Sequence, residues 1–398
     1  MEIIVAKNNR YSKANIRSAI RALKTQEIMQ VSEMALGNRD VIPLWYGESD
    51  VKTPAFICNA AATAMGEGYT FYTHKRGLPE LREALADYSQ RLYGMPVGAD
   101  RITVTSSGMT AIMIAMQVVI DPGDRVILVG PVWPNAEAAV KIMGGEVCQH
   151  SLRYEDGEAQ SWHLDIEYLF AMCTENTRAI FINSPGNPTG WMMSTREQRK
   201  ILEFCRLRNI WIIADEVYSR IVYDRPSAPS FLEIIEPEDS VLVVNSFSKN
   251  WAMTGWRLGW LTHPPSFAKP FSDLIEFNTS GTPAFLQKAC ITALKDGEHV
   301  IDDMVDLCRE GRDIVGTAMS EWPRVRYRAP DAAFYAFFAV DGVENSLKFA
   351  KQLVLDVGVG LAPGTAFGPE GNGWLRLCFA RNSSELSTAM DRLANVFA

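Results

Sequence analysis

Long apolar runs are missing from this chain. The longest, such as Phe334–Val340, fall far short of the ~20 residues a spanning helix needs, so no membrane partner is expected. Clustered positive charge is missing too: the formal net charge is -8, which argues against nucleic acid, since binding it requires gathered Lys and Arg. The seven cysteines (Cys58, Cys148, Cys173, Cys205, Cys290, Cys308, Cys378) are odd in number and scattered, with no CxxC spacing. That pattern excludes a disulfide framework and a zinc site, and it suits a reduced, cytoplasmic location. Met1–Lys7 lacks a basic stretch leading into a long apolar one, so no export signal is expected. No repeat or low-complexity tract occurs. Neither GxGxxG after the first strand nor GxxxxGK[ST] is present, which removes the common nucleotide-binding loops.

What is present is an ordinary globular composition, 47% hydrophobic and 22% charged over 398 residues, enough for two domains and a large core. Apolar positions at helical spacing predict a helix over residues 15–36, and another over Pro79–Tyr93 with Pro79 in its first turn. Strands then alternate with helices: strands at Ile102–Thr105, Arg125–Val129, Ala179–Ile182, Ile210–Ala214 and Val241–Asn245, helices at Ala111–Val119 and Thr195–Leu207. Such alternation predicts an α/β fold with a mostly parallel, doubly wound sheet. After Arg257 the order becomes a helical stretch over Ala284–Met319, the run Ala333–Phe338, a helix over Ser346–Asp356 and a strand over Leu375–Phe379. That order suits a smaller α+β domain. The expected division is an N-terminal arm over 1–45 joining the smaller domain, a large domain over 46–282, and the small domain over 283–398.

The chemistry sits where the strands end. Val241–Asn245 leads into Ser246-Phe247-Ser248-Lys249 and, further on, Arg257, so Lys249 falls just past a strand's carboxyl end, where open α/β sheets place ligands. A lysine in a pocket loses hydration and becomes a neutral, nucleophilic amine. Ser246, Ser248 and Arg257 are groups that bind a phosphate. An imine-forming lysine beside a phosphate site suggests pyridoxal 5'-phosphate (PLP); a buried lysine paired with a carboxylate is the plainer alternative. Ser107-Gly108-Met109-Thr110 opens a helix whose N–H groups can face a phosphate. Trp133 could stack on a planar ring or simply fill core. Asn187, with prolines on both sides, could donate to a phenolic oxygen or make a structural Asx turn. Asp215 follows an apolar strand and requires a cation there; a protonated pyridine, an arginine or a helix cap would each serve. Tyr218, three residues on, could hydrogen-bond a ring hydroxyl.

Together these motifs resemble the class I/II aminotransferases, PLP enzymes of fold type I. The resemblance runs from about Pro43 onwards and includes Tyr46-Gly47-Glu48-Ser49-Asp50, Gly77-Leu78-Pro79-Glu80-Leu81-Arg82, Asn187-Pro188-Thr189-Gly190, Asp215-Glu216-Val217-Tyr218, the Lys249 segment, and Pro363-Gly364-Thr365-Ala366-Phe367 before Leu375-Arg376-Leu377. It implies Lys249 as the Schiff-base lysine and proton carrier, Asp215 as partner of the pyridine nitrogen, and Asn187 with Tyr218 as ligands of the ring oxygen. It places Trp133 against the ring, and Ser107, Gly108, Met109, Ser246, Ser248 and Arg257 around the phosphate. Tyr72 would reach the phosphate of a neighbouring subunit, which implies a homodimer with shared sites. Arg376 would clamp the substrate α-carboxylate near the Gly47 backbone; its place between strand apolars argues against a plain surface ion pair. The implied activity is amino-group transfer from an L-α-amino acid to a 2-oxo acid. A β-eliminating PLP lyase is the alternative; a PLP-binding regulator is disfavoured by the acidic charge and by the lack of a DNA-binding extension. In one subgroup a lysine follows the phosphate-loop glycine and helps bind dicarboxylates; Met109 stands there instead. Trp45, Tyr46, Met109 and Trp133 hint at room for an apolar side chain.

Overall fold

Seven strands build the larger sheet: β1 (Ile102–Thr105), β2 (Arg125–Gly130), β3 (Glu146–Ser151), β4 (Thr177–Asn183), β5 (Trp211–Asp215), β6 (Val241–Ser246) and β7 (Gly259–Thr262). The computed structural model describes residues 16–155 and 161–398; the expected helix start at Asn15 and the Met1–Lys7 reading lie outside them. The spatial order is β1-β7-β6-β5-β4-β2-β3. All neighbours are parallel except β7, which runs antiparallel to β6 and β1. The connection from β6 to β7 carries no crossover helix, and only a crossover can return a strand parallel to its predecessor. The inner strands read as continuous apolar runs because both faces are covered: every residue of β5 and β6 is buried.

Local signals set the covering helices. Pro79 opens Pro79–Tyr93, and Ser194 with Glu197 forms a capping box ahead of Thr195–Arg208. The sheet's two faces carry two apolar clusters, one including Ile127, Ile180, Ile212 and Val243, the other Leu128, Phe181, Ile213 and Val244, as side-chain alternation dictates.

A second, antiparallel sheet consists of β8 (Val325–Arg326), β9 (Tyr335–Val340), β10 (Ala362–Pro363) and β11 (Trp374–Cys378), in the order β8-β9-β11-β10. Its core takes in Ile28, Val31, Leu44 and Trp45 from the N-terminal segment, and Ile42–Pro43 pairs with Val359–Gly360. Helix Ala284–Asp296, expected in the smaller domain, instead packs Ala289, Cys290 and Ala293 into the larger core. The next helix, Glu298–Ser320, serves both cores: Val300 and Ile301 face the first, Met304, Cys308 and Val315 the second.

The single helix expected over 15–36 is broken. Ser18–Arg21 and Glu27–Ser32 are helical, the latter continued by a 3-10 turn at Glu33–Ala35. Arg17 bonds the Ile142 carbonyl on the larger unit at 3.0 Å, while Ile28 and Val31 are buried in the smaller core. The two ends are anchored on different units, and tertiary contacts override propensity. Among the described residues no helix is long and apolar enough to cross a membrane.

Candidate active site

The polar strand ends converge because the register aligns them. Gly259 pairs with Ser246 on one side and Thr105 on the other, and Asn183 pairs with Asp215. Gly259 also lets β7 pass close to the turn before helix Gly108–Val119: a Cβ there would lie 2.5 Å from the Gly108 amide nitrogen. Over this rim the smaller sheet contributes Tyr335 and Arg376. The result is a cavity of about 340 Å³ whose wall includes Gly47, Gly108, Met109, Trp133, Asn187, Asp215, Tyr218, Ser246, Ser248, Lys249, Arg257 and Arg376.

The ionisable groups are pushed in opposite directions. Asp215 is 5% exposed, and burial raises its carboxyl to about 7, opposed only by the Val217 N–H at 3.4 Å and the Lys249 charge. Burial also lowers the Lys249 amine to about 8; its Nζ donates to the Gly47 carbonyl at 2.5 Å. Lys249 opens partly onto the cavity, and the surrounding protein still strips most of its water. Desolvation thus brings both groups within reach of neutral pH.

Arg376 is 2% exposed. Its Nη1 donates to Asn187 Oδ1 at 2.9 Å, its Nη2 to the Trp45 carbonyl, and its Nε has no partner. Its guanidinium lies 4.5 Å from the Tyr335 ring and 4.9 Å from that of Phe367. No carboxylate among the described residues pairs with it, so the site holds a buried cation in want of an anion. Arginine only donates, so the bond to Asn187 fixes that amide with its oxygen toward Arg376. Its NH2 remains a donor for something else in the cavity.

Tyr218 and Tyr335 join hydroxyl to hydroxyl at 2.7 Å, and burial raises both phenols. Tyr335 was not among the sequence candidates; it lies in an apolar run that reads as core strand. Gly47 is what admits it, since a Cβ at Gly47 would stand 2.1 Å from the Tyr335 hydroxyl.

Ser246 Oγ donates to Ser248 Oγ at 2.8 Å and accepts the Ser248 N–H at 3.1 Å, forming a hydroxyl pair beside the N-terminus of helix Gly108–Val119. Ser107 stands just outside the cavity wall, at the start of that helix, where its hydroxyl accepts the Thr110 N–H at 2.9 Å. Tyr72 is 88% exposed and also lies outside the cavity wall. Gln26, Ile28 and Met29 line the cavity without having been singled out in the sequence, where they read as part of one N-terminal helix.

Residues 39–393 match the family described as aminotransferase class I and II. The chain is 32% identical over 381 residues to an aspartate aminotransferase of Pyrococcus horikoshii, covering 95% of this chain and 96% of that protein. Among solved structures, an aromatic aminotransferase from Pyrococcus horikoshii superposes with a TM-score of 0.84 at 30% identity, over 92% of this chain and 98% of that one. An Escherichia coli protein with a methionine aminotransferase function gives a TM-score of 0.88 at 25% identity, over 96% and 100%. With its motifs in order along nearly the whole match and a half-buried lysine, a buried aspartate and a buried arginine gathered at one rim, the chain belongs to the class I and II aminotransferases, enzymes of amino-group transfer.

Proposed function

We propose that PLP is held on Lys249 and that an L-α-amino acid and a 2-oxo acid exchange an amino group at this one cavity in a ping-pong cycle. The observation that carries this reading is Asp215: a buried carboxylate with one long hydrogen bond and no ion pair among the described residues, positioned for a cation the chain does not itself supply. When bound, the cofactor supplies a sink for the electron pair left as the substrate Cα–H bond breaks.

The chain's residues do the rest. Asp215 would hold the pyridine nitrogen protonated, and the Asn187 NH2 and Tyr218 hydroxyl would donate to the ring oxygen. Tyr335 keeps Tyr218 in place through the 2.7 Å hydroxyl contact. The Gly108 and Met109 amides, the Ser246 and Ser248 hydroxyls and Arg257 would hold the phosphate, with Trp133 against the ring. Ser107 serves that cradle indirectly, as the cap of its helix. Arg376 would bind the α-carboxylate bidentately, placing Cα by Lys249, whose neutral amine takes the proton and returns it. Tyr72 is exposed in one subunit, as a residue reaching the phosphate site of a second would be, which supports a homodimer. Relatives named for aspartate, aromatic or methionine transamination give no support to β-elimination.

Borohydride reduction of purified protein followed by peptide mass mapping tests the assignment. A cofactor adduct on the Lys249 peptide is expected, and Lys249→Ala should lose both the visible absorbance and transamination. Normal turnover by that variant would refute the reading.

A further inference from the structure

Three cations line the cavity, Lys249, Arg257 and Arg376, and each has a task in the reading above. The wall left for a substrate side chain includes Ile28, Met29, Tyr46 and Met109. Its amides, Gln26 and Asn183, are already engaged: Asn183 donates to the Asp215 carbonyl and accepts the Asn187 N–H, while Gln26 Nε2 donates to Asn135 Oδ1 and the Asn135 amide donates to Met109 Sδ at 3.6 Å. This relay ties the N-terminal segment to the mouth of helix Gly108–Val119 and fixes the thioether against the cavity. Among the described residues no fourth cation faces that wall. A second carboxylate entering here would lose its water without finding a positive charge on the described residues of this chain, and an unpaired buried charge is strongly disfavoured. An apolar chain meets two methionines, whose flexible, polarisable thioethers adapt to different shapes.

We infer that the amino donor carries a neutral, largely apolar side chain (aliphatic, thioether or aromatic) and that dicarboxylic amino acids are poor substrates. The inference rests on the amino-transfer reading with Arg376 as the α-carboxylate clamp. The breadth of the class follows from the methionines, which select against charge more than between apolar shapes.

The test uses holoenzyme without acceptor. L-Leucine, L-methionine and L-phenylalanine are compared with L-aspartate and L-glutamate for the rate at which each bleaches the visible absorbance. In parallel, the unreactive acids 4-methylpentanoate and 3-phenylpropionate are compared with succinate and glutarate for binding, read by tryptophan fluorescence. Apolar donors should react with a kcat/KM about a hundredfold or more above the dicarboxylic ones, and the apolar acids should bind more tightly. Met109→Lys places a cation in the apolar wall and should narrow that ratio at least tenfold. Aspartate or glutamate reacting as well as the apolar donors would overturn the inference and leave amino transfer standing. If no donor of either class bleached a holoenzyme that carries the borohydride-trapped adduct, both readings would fall.

Discussion

Asparagine at position 215 removes a charge while keeping the shape of the side chain. Asp215 is raised from 3.8 to about 7 chiefly by burial. Its folded value lies above its unfolded one, so the native state holds a proton that the unfolded chain gives up between these pH values. Stability is therefore lost as pH rises through that window, and the ionised carboxylate burdens the cofactor-free fold above pH 7. A shift of about three units at 1.36 kcal/mol per unit sets the burden at about 4 kcal/mol. Cofactor-free Asp215→Asn should thus be more stable than cofactor-free wild type at pH 8.5 by up to about 4 kcal/mol. The gain should shrink at pH 5 and vanish toward pH 4. Glu216, raised to about 8 by burial, titrates in both proteins and largely cancels in the comparison. With cofactor the order should reverse, because on the proposed reading the variant lacks a partner for the ring nitrogen. Losing one side of a buried ion pair removes about 3–5 kcal/mol, or about 10²–10⁴ in the rate of the donor half-reaction, together with weaker cofactor retention. Urea unfolding at matched protein concentration, with and without cofactor, reads the first effect, and stopped-flow absorbance reads the second. Equal stability of the two cofactor-free proteins at pH 8.5, or unchanged half-reaction rates, would refute the account of Asp215.

Arg376→Gln should lower kcat/KM for amino acids by about 10²–10³, the loss of a desolvated charge pair, and should barely affect reaction with an amine that has no carboxylate; equal losses for both would remove Arg376 from the clamp. Gly47→Ala should melt earlier and bind cofactor more weakly, because its Cβ would overlap the Tyr335 hydroxyl. Adding Tyr335→Phe should recover part of the lost melting temperature, although that change alone gives up a hydrogen bond worth about 1 kcal/mol. A double variant no more stable than Gly47→Ala would show that the contact is not what excludes a side chain at Gly47.

The residues legible in advance share one property: the evidence for them is local. Lys249, Asp215 and Asn187 each follow a short apolar strand, and a parallel sheet brings its carboxyl ends to one rim, so position along the chain already implies position in space. Arg376 was legible as a charge set among strand apolars. Met109, Trp45, Tyr46 and Trp133 do line the cavity, though nothing local separated lining from packing. Tyr335 was hidden because an apolar strand with one tyrosine reads as core; its hydroxyl meets Tyr218 only where the smaller sheet lies over the larger. The Gln26, Asn135 and Met109 relay joins residues far apart in sequence, and the cap that Ser107 places on Thr110 needed the helix start to be located.

Amino-acid order alone was enough for the α/β alternation and for a lysine and an aspartate at strand ends, Lys249 and Asp215, because apolar periodicity and a charge at its end are one-dimensional patterns. Which core receives helix Ala284–Asp296, where the N-terminal helix breaks, and which side chains share the cavity were decided only by packing. Those outcomes depend on surfaces that meet across long stretches of chain, and an amphipathic segment shows which face it will bury without showing against what.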